Sequence, residues 1–164
     1  MIDAHIRYKI KKAEENFYII RNLNVLDEIQ FLAEELLKII RKADEERFNS
    51  GMVEICQDCG KNGIPCCGSG IEEKYSLELL MINLILSAEL PTEREIKSGC
   101  FFLKSNGCCL IARDVFCINY ICNKIQTKLS PRSLIKLREL EGNQLTLQFK
   151  IEEHLKKIIN HSLK

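Results

Sequence analysis

The first fifty residues alternate apolar and polar positions with the period of an α-helix. Apolar side chains recur at three- and four-residue steps from Ile6 to Ile20, which predicts an amphipathic helix. Asn24 is then predicted to cap a second helix that runs to about Phe48. Gly51 follows as the expected left-handed residue after a helix end. Residues 1–51 are therefore predicted to form a helical region, with a helical hairpin as one arrangement.

The pattern changes in the middle of the chain. Glycine and proline punctuate residues 52–71, which predicts a loop. Ser76 is predicted to cap a helix that extends to Leu90 and is apolar on nearly every side. Such a helix is expected to be buried between other elements. Pro91 should end it, and a short helical turn is predicted over residues 92–97.

The C-terminal part is predicted to be helical again. Ser130 is the expected N-cap and Pro131 the first residue of one helix. Gly142-Asn143 is predicted to end that helix. The apolar positions between Leu145 and Ile159 then predict a last amphipathic helix.

The predicted fold class is mainly α, with four to six helices packed around an irregular, loop-rich cysteine and metal core. Little or no sheet is expected. Residues 1–51 form the N-terminal helical region, residues 52–125 the cysteine-cluster core, and residues 126–164 C-terminal helices that pack on that core.

Composition and charge argue against several classes of protein. The 164 residues are 46% hydrophobic and 29% charged, as in an ordinary globular protein, and the net charge is only +1. No general attraction to nucleic acid or membranes follows from that charge, although residues 123–164 carry more basic than acidic side chains. The charged N-terminus has no apolar stretch of a secretory signal, and the longest apolar run, Leu77–Leu90, is too short to span a bilayer. A cytoplasmic protein is therefore expected.

The nine cysteines lie in only two blocks. Four lie between Cys56 and Cys67, and five between Cys100 and Cys122. An odd number of thiols in the reducing cytoplasm is poorly explained by disulfides. Thiols that are grouped in pairs are typical of metal ligation.

The spacings are consistent with chelation. Cys56 and Cys59 form a C-x2-C pair, and Cys117 and Cys122 a looser C-x4-C pair. One pair from each block would complete a tetrahedral site. Adjacent cysteines, as in Cys66-Cys67 and Cys108-Cys109, point to opposite sides of an extended chain. Each such doublet therefore indicates either a second metal or one ligand beside one packed thiol.

At these residues the chain resembles a known family, the CxxCxxCC-type cysteine-cluster proteins, which are described as zinc- or iron-chelating. The family pattern is CxxCxxCC followed by a CPFL…GxCxIYxxRPxxCRxxxC block. The sequence Cys100-Phe-Phe-Leu103 stands where CPFL would be, and Gly107-Cys-Cys-Leu-Ile111 stands where GxCxI would be. This alignment makes Cys109 the family cysteine and Cys108 the additional one. The resemblance covers roughly residues 52–125.

What the resemblance implies is metal binding by eight cysteines. These are Cys56, Cys59, Cys66, Cys67, Cys100, Cys109, Cys117 and Cys122. Thiolate softness suits both zinc and iron, with zinc slightly favoured. Arg113 either steadies the thiolates by its charge or is an ordinary surface residue. His5, His154 and His161 are expected at the surface.

Three functions follow as hypotheses. The favoured one is a metal-binding protein whose zinc or iron–sulfur centre is mainly structural and supports an interaction surface for an unknown protein partner. The alternative is an iron–sulfur redox or group-transfer enzyme, by analogy with flagellin lysine methylases that carry a similar cluster. The third is a thiol-redox protein that uses a cysteine doublet. No catalytic residues are assigned, and a homodimer through the N-terminal helices is one further expectation.

Overall fold

The computed structural model describes residues 3–23, 27–62 and 66–162, and these are mainly α-helical. The predicted N-cap Asn24 lies outside the described residues. The long helices are α1 (Ala4–Asn22), α2 (Asp27–Asn49) and α7 (Pro131–Ser162), and the shorter ones are α3 (Met52–Lys61), α4 (Leu77–Ile85), α5 (Val115–Asn119) and α6 (Asn123–Lys128). A 3-10 turn occupies Ile71–Lys74. The prediction of a mainly α fold is confirmed.

The core forms around α4. This helix contacts both α1 and α7, while α2 packs along α7. Five consecutive residues of α4, from Leu79 to Asn83, are buried, so the helix is enclosed on all sides as its sequence predicts. Its N-cap is Ser76, whose hydroxyl accepts a hydrogen bond from the Leu79 amide. Helices from the N-terminal, central and C-terminal regions thus share one hydrophobic core.

The helix α4 ends earlier than predicted. It stops at Ile85, and Ser87 takes a left-handed conformation with φ 65°. The Ala88 amide then donates to the Asn83 carbonyl at 2.8 Å, which closes the end of the helix. The helical turn predicted over residues 92–97 does not form either. Arg94 in this segment instead bonds to Asp3, to Glu72 and to the Gly99 carbonyl, so tertiary contacts determine its conformation.

The C-terminal helix does not break at Gly142-Asn143, contrary to prediction. The helix α7 runs without interruption from Pro131, with Ser130 as the cap: its hydroxyl accepts from the Ser133 amide at 3.1 Å. Next to the glycine, the buried Glu141 carboxylate accepts a hydrogen bond from the Arg47 guanidinium of α2 at 2.8 Å. A glycine in a helix costs only about 1 kcal/mol, which packing against α2 outweighs.

A two-stranded antiparallel sheet is the only sheet within the described residues. It joins β1 (Leu103–Lys104) to β2 (Gly107–Cys108), with Leu103 opposite Cys108. Gly107 has φ 116°, a conformation that a residue with a side chain rarely adopts. None of the described helices has the length and the apolar character needed to cross a membrane.

Candidate metal centre

The first cysteine pair lies on a helix. Residues 52–61 were predicted as a loop, and that prediction is wrong: they form α3, which begins after the left-handed Gly51 (φ 79°). Gly51 itself has the predicted conformation. Positions three apart on a helix face the same side, so the helix keeps the Cys56 and Cys59 thiols adjacent. The two thiols of the C-x2-C pair therefore lie on one side of the backbone, although that backbone is helical.

Two further thiols meet this pair where α3 contacts α6. Cys122 is the residue immediately before α6, and the Lys124 ammonium in the first turn of α6 lies 3.5 Å from the Cys59 Sγ. The pKa of the Cys56 thiol is raised, first by the surrounding protein atoms and then by repulsion from Cys66 and Cys122. We call this set the α3 thiol group: Cys56, Cys59, Cys66 and Cys122.

Cys67, the second cysteine of the Cys66-Cys67 doublet, contacts the second cysteine block. The Cys67 carbonyl accepts a hydrogen bond from the Cys100 amide at 2.8 Å. The next residue, Gly68, forms an antiparallel bridge with Gly99. These backbone contacts connect the first cysteine block to the second. Cys67 therefore lies beside Cys100, and its thiol also acts on that of Cys56 on α3.

The β1–β2 hairpin brings the Cys108 thiol close to Cys67 and Cys100. Cys108 lies in β2, and the amide of the following Cys109 donates to the Phe102 carbonyl at 3.0 Å. Cys108 is exposed, whereas the half-buried Cys109 packs against the hydrophobic core. Successive side chains on a strand point to opposite sides, which explains why the two thiols differ.

Cys117 on α5 is the fourth thiol of this cluster. Its Sγ lies 3.6 Å from the Tyr75 hydroxyl, and the Tyr75 ring packs edge-on against Phe102 with the centroids 4.9 Å apart. Burial raises the pKa of Tyr75 above its usual value, and nearby Cys108 and Cys117 raise it further. We call this set the hairpin thiol group: Cys67, Cys100, Cys108 and Cys117.

The pKa values of the buried thiols report the same neighbours. Burial raises the pKa of Cys67 to about 11, and repulsion from Cys108 and Cys117 adds to it. Burial likewise raises the pKa of Cys100 to about 12, with Glu72, Cys108 and Cys117 as the neighbouring charges that add to it. Burial raises the pKa of Cys109, the nearby charge of Lys104 lowers it, and that of Glu95 raises it.

Each thiol group has a basic side chain beside it. Lys124 contacts the α3 thiol group through Cys59. Arg113 lies near the hairpin thiol group, where its charge lowers the pKa of Cys67 in opposition to burial. The Arg113 guanidinium also lies 3.4 Å from the Asp44 carboxylate of α2. The two alternatives for Arg113, a role in balancing thiolate charge and an ordinary surface residue, both stay predictions.

A buried amide holds the second block against the core. The Asn83 side chain on α4 donates to the Ala112 carbonyl at 2.8 Å and accepts from the amides of Ile111 and Ala112. It also donates to the Leu79 carbonyl. All of its hydrogen-bonding capacity is used, so the segment between β2 and α5 is fixed relative to α4.

The predicted site residues are therefore divided between two places. Seven of the eight predicted ligands belong to the two thiol groups; the eighth, Cys109, is outside both sets, although it adds to the effect of burial in raising the pKa of the adjacent Cys108. Cys108, which the sequence alignment assigned as the additional cysteine, is a neighbour of Cys67 and Cys117 in the structure. The alternation of side chains along a strand that begins at Gly107 was the sequence signal that Cys108 and Cys109 would point to different sides. Of the histidines, His5 contacts Glu73 on the surface, and the surface prediction also fits the exposed His161.

As the thiols stand, they are neighbours and not a closed coordination sphere. Within residues 3–23, 27–62 and 66–162, no group of three or more His, Cys, Asp or Glu side chains is arranged so that it could hold a metal ion. The donor chemistry nevertheless suits a soft metal, since thiolates are the preferred ligands of zinc and of iron–sulfur clusters. Closing either group around a metal requires the side chains to move together.

Comparison of the chain with protein-family models, with curated proteins and with solved structures finds no match. The functional argument therefore depends on the residues and their arrangement.

Proposed function

We propose that this chain is a metal-binding protein whose two cysteine blocks hold zinc, with an iron–sulfur cluster as the second candidate, and that the centre is mainly structural. The observation that carries the proposal is the meeting of thiols from both blocks where α3 contacts α6: Cys56, Cys59 and Cys66 from the first block and Cys122 from the second. Four thiolates are the complete ligand set of a structural zinc site.

The packing of α3 supports a structural role. No residue of α3, Met52–Lys61, is fully buried, so little apolar burial holds this helix in place. It follows α2 directly and contacts α6 through a surface that carries thiols. A metal held by these thiols would join two short helices that the hydrophobic core does not enclose. In such sites the free energy of ligation is free energy of folding.

An exposed apolar surface lies next to the proposed centre. On and just after α5, Val115, Phe116 and Tyr120 are exposed, and Cys117 lies between them in the chain. The Lys74 ammonium lies 5.1 Å from the centroid of the Phe116 ring. Exposed apolar patches of this kind mark interaction sites. A metal that fixes Cys117, which lies on α5, and Cys122, three residues after α5 ends, would fix this helix and with it the exposed surface for a protein partner.

The test begins with the full chain purified without oxygen. Zinc, iron and acid-labile sulfide are measured per chain, together with the absorption spectrum. We expect zinc, no visible absorbance, and a lower melting temperature after chelation that returns when zinc is restored. Metal-free protein that takes up neither zinc nor iron and melts at the same temperature with either metal would refute the proposal.

A pair of variants on α3 makes the test specific. In the double variant Cys56→Ala/Cys59→Ala we expect less zinc per chain. We also expect chelation to lower its melting temperature by less than it lowers that of the parent chain. The matched control is Asp58→Ala, an exposed position on the same helix, which should retain the zinc content of the parent chain. Equal loss of zinc in both variants would show that the helix and not its thiols matters.

The enzymatic alternative depends on the number of thiols, which exceeds the four that one zinc ion needs. Iron with stoichiometric sulfide and broad visible absorbance would support an iron–sulfur cluster in place of zinc. Redox or group-transfer chemistry would then be tested on the reduced protein. A colourless, zinc-containing protein would exclude this alternative.

A further inference from the structure

We propose that the surface around α5 binds an acidic segment of a partner protein, and that this segment also supplies an apolar or aromatic side chain. The inference deepens the proposed function by naming the chemistry of the partner, and the dependence of binding on metal rests on that function. We call this region the α5 surface: the exposed side chains of Val115, Phe116, Tyr120 and Ile135 with the cations Lys74 and Arg138 beside them.

Four large apolar side chains are exposed around α5. Three of them are more than half exposed and the fourth is close to half: Phe116 61%, Tyr120 59%, Ile135 70% and Val115 42%. The Arg138 guanidinium of α7 donates to the Asn119 carbonyl at 2.9 Å, so the start of α7 lies against the end of α5. Ile135 lies one turn before Arg138, and Tyr120 follows Asn119. Exposed apolar side chains grouped in this way mark interaction sites.

The chain that forms this surface is basic. From Val115 to Arg138 it contains no aspartate or glutamate and five basic residues, all of them exposed: Lys124, Lys128, Arg132, Lys136 and Arg138. The last two contact buried carboxylates of α2 and α7. Within the described residues, the other three form no ion pair with a carboxylate. The positive charge of this segment is therefore not balanced by acidic groups of its own.

Cations lie directly beside the aromatic side chains. The ammonium of the exposed Lys74 lies 5.1 Å from the centroid of the Phe116 ring, near the start of α5. At the other end of α5, the Arg138 side chain is 42% exposed and contacts Asn119, the residue before Tyr120. A ligand that covers both rings would meet positive charge at each end of the helix. Electrostatic complementarity therefore calls for negative charge on that ligand.

The apolar side chains favour a protein segment over a nucleic acid. Bases bind by stacking on aromatic rings, and Val115 and Ile135 have no ring on which a base could stack. Aromatic side chains with arginine beside them are typical of protein interfaces. Two of the five cations between Val115 and Arg138 already contact carboxylates, which lowers the charge that is left for a phosphate backbone.

Bound metal would order this surface. The helix α5 has only five residues, and within this fully described helix only Ile118 is buried. A helix this short has little stability of its own. Cys117, one of the predicted ligands, lies next to Phe116 in the chain. A metal on Cys117 would hold α5 in place before the partner arrives, so the metal-loaded chain should bind the partner more tightly.

The experiment selects peptides from a random library displayed on phage, with the full chain purified without oxygen as the target. Selected peptides should contain more aspartate and glutamate than the library as a whole, together with an apolar or aromatic residue. The dissociation constant Kd of one such peptide is then measured by fluorescence anisotropy, and it should rise with salt because the attraction is screened. Selection of neutral or basic peptides, or of none, would overturn the inference.

A pair of aromatic variants tests the position of the site. Phe116→Ala/Tyr120→Ala should raise the Kd of the selected peptide by about tenfold or more. The matched control is Tyr18→Ala/Phe31→Ala, at exposed aromatic positions of α1 and α2, and it should leave the Kd unchanged. An equal Kd in both double variants would contradict the assignment to the α5 surface.

A pair of charge variants tests the role of the cations. Lys74→Gln/Lys128→Gln should raise the Kd by about threefold or more at low salt, with a smaller effect at high salt. Lys150→Gln/Lys157→Gln removes the same charge from exposed positions of α7 outside the surface and should have no such effect. If the two double variants bind the peptide alike, charge complementarity at this surface is ruled out.

A measurement on the unmodified chain covers variants that fail to fold. Hydrogen exchange with and without the peptide should show slower exchange in α5 and in the first turns of α7. Slower exchange confined to other helices would place the peptide elsewhere and refute the inference.

Other occupants of the surface are distinguishable outcomes. Tighter binding of single-stranded oligothymidylate, or of vesicles that contain phosphatidylserine, than of the selected peptide would replace the protein partner by a nucleic acid or a membrane. A dimer of the parent chain that dissociates in Phe116→Ala/Tyr120→Ala, measured by sedimentation, would assign the surface to a second copy. Each of these results would overturn the inference.

Failure of the two proposals can be told apart. A chain that holds zinc but selects no acidic peptide leaves metal binding intact and refutes this inference. A chain that binds no metal but selects acidic peptides at the α5 surface refutes the proposed metal centre, while the chemistry of the partner stands. Equal Kd values before and after chelation of a metal-loaded chain would refute the dependence of binding on metal.

Discussion

Asn83 and Ala112 exchange two hydrogen bonds. The Asn83 amide donates to the Ala112 carbonyl at 2.8 Å, and its side-chain oxygen accepts from the Ala112 amide at 3.0 Å. Asn83 is fully buried on α4, and Ala112 lies in the irregular segment between β2 and α5. A buried polar side chain with every partner in place fixes one segment relative to another more strictly than apolar packing does. The second cysteine block is therefore positioned by the helix that forms the centre of the core.

This relationship predicts a large effect of Asn83→Ala on stability. The substitution leaves the buried backbone groups of Ile111 and Ala112 without partners, so the free energy of unfolding should fall by about 3 kcal/mol. Urea denaturation of the two proteins measures the difference. The control is Asn143→Ala, at an exposed position of α7, which should change the free energy by less than about 0.5 kcal/mol. Similar values for the two variants would contradict the role of Asn83.

The buried ion pair between α2 and α7 predicts a second effect. The Arg47 guanidinium bonds to the Glu141 carboxylate at 2.8 Å, and both side chains are almost fully buried. Arg47→Met removes one partner and leaves Glu141 with Arg138 alone, which should lower the free energy of unfolding by about 3 kcal/mol. Thermal and urea unfolding would check this. The exposed Arg41→Met on the same helix is the control, and an equal loss there would show that the pair is not responsible.

Two glycines predict substitutions of opposite sign. Gly142 is exposed within α7 and an added Cβ meets nothing within 4 Å, so Gly142→Ala should stabilise the protein by about 0.5–1 kcal/mol. Gly51 is equally open but has φ 79°, so Gly51→Ala should destabilise it by about 1 kcal/mol. Melting temperatures of the two variants provide the measurement. A stabilising Gly51→Ala would contradict the left-handed conformation at that position.

The carboxylate of Glu72 predicts how stability depends on pH. Burial alone would raise the pKa of Glu72, but hydrogen bonds from Arg94 and from the Gly70 amide hold that pKa below its ordinary value of 4.5. A carboxyl group with a lowered folded pKa contributes stability that is fully present above its unfolded pKa. That contribution is lost as the pH falls from 4.5 through the folded value.

The variant Glu72→Gln should therefore be less stable than the parent chain near neutral pH. The difference between the two should shrink as the solution is acidified below about pH 4. Urea unfolding at a series of pH values measures it, with the exposed Glu14→Gln as the control. A difference that stays constant over that range would show that the charge of Glu72 does not matter.

Much of the helical architecture could be predicted from periodicity and caps. The stripe from Ile6 to Ile20, the cap at Ser76 and the start of α7 at Pro131 are all present. These features depend on neighbours within one or two turns, which the sequence contains directly. The predicted break at Gly142 does not form, since α7 packs along α2 with contacts such as the Arg47–Glu141 pair, which joins residues 94 positions apart.

The same distinction between local pattern and long-range contact applies to the thiols. Two blocks, their pairing and their soft-ligand chemistry follow from the residues alone. Which thiols are neighbours does not, since side-chain direction depends on the local backbone. Cys56 and Cys59 lie on one face of a helix, whereas Cys108 ends a strand and is exposed while the following Cys109 is half-buried.

By itself, the sequence determined a mainly α chain with a buried central helix and two separate sets of thiols, because local periodicity and composition carry that information. Only the tertiary structure decided that the Cys67 carbonyl lies beside the Cys100 amide, and that the Cys108 thiol is exposed while that of Cys109 is half-buried. The reason is physical: those neighbours are set by contacts between segments far apart in the chain, whose free energies no local pattern records.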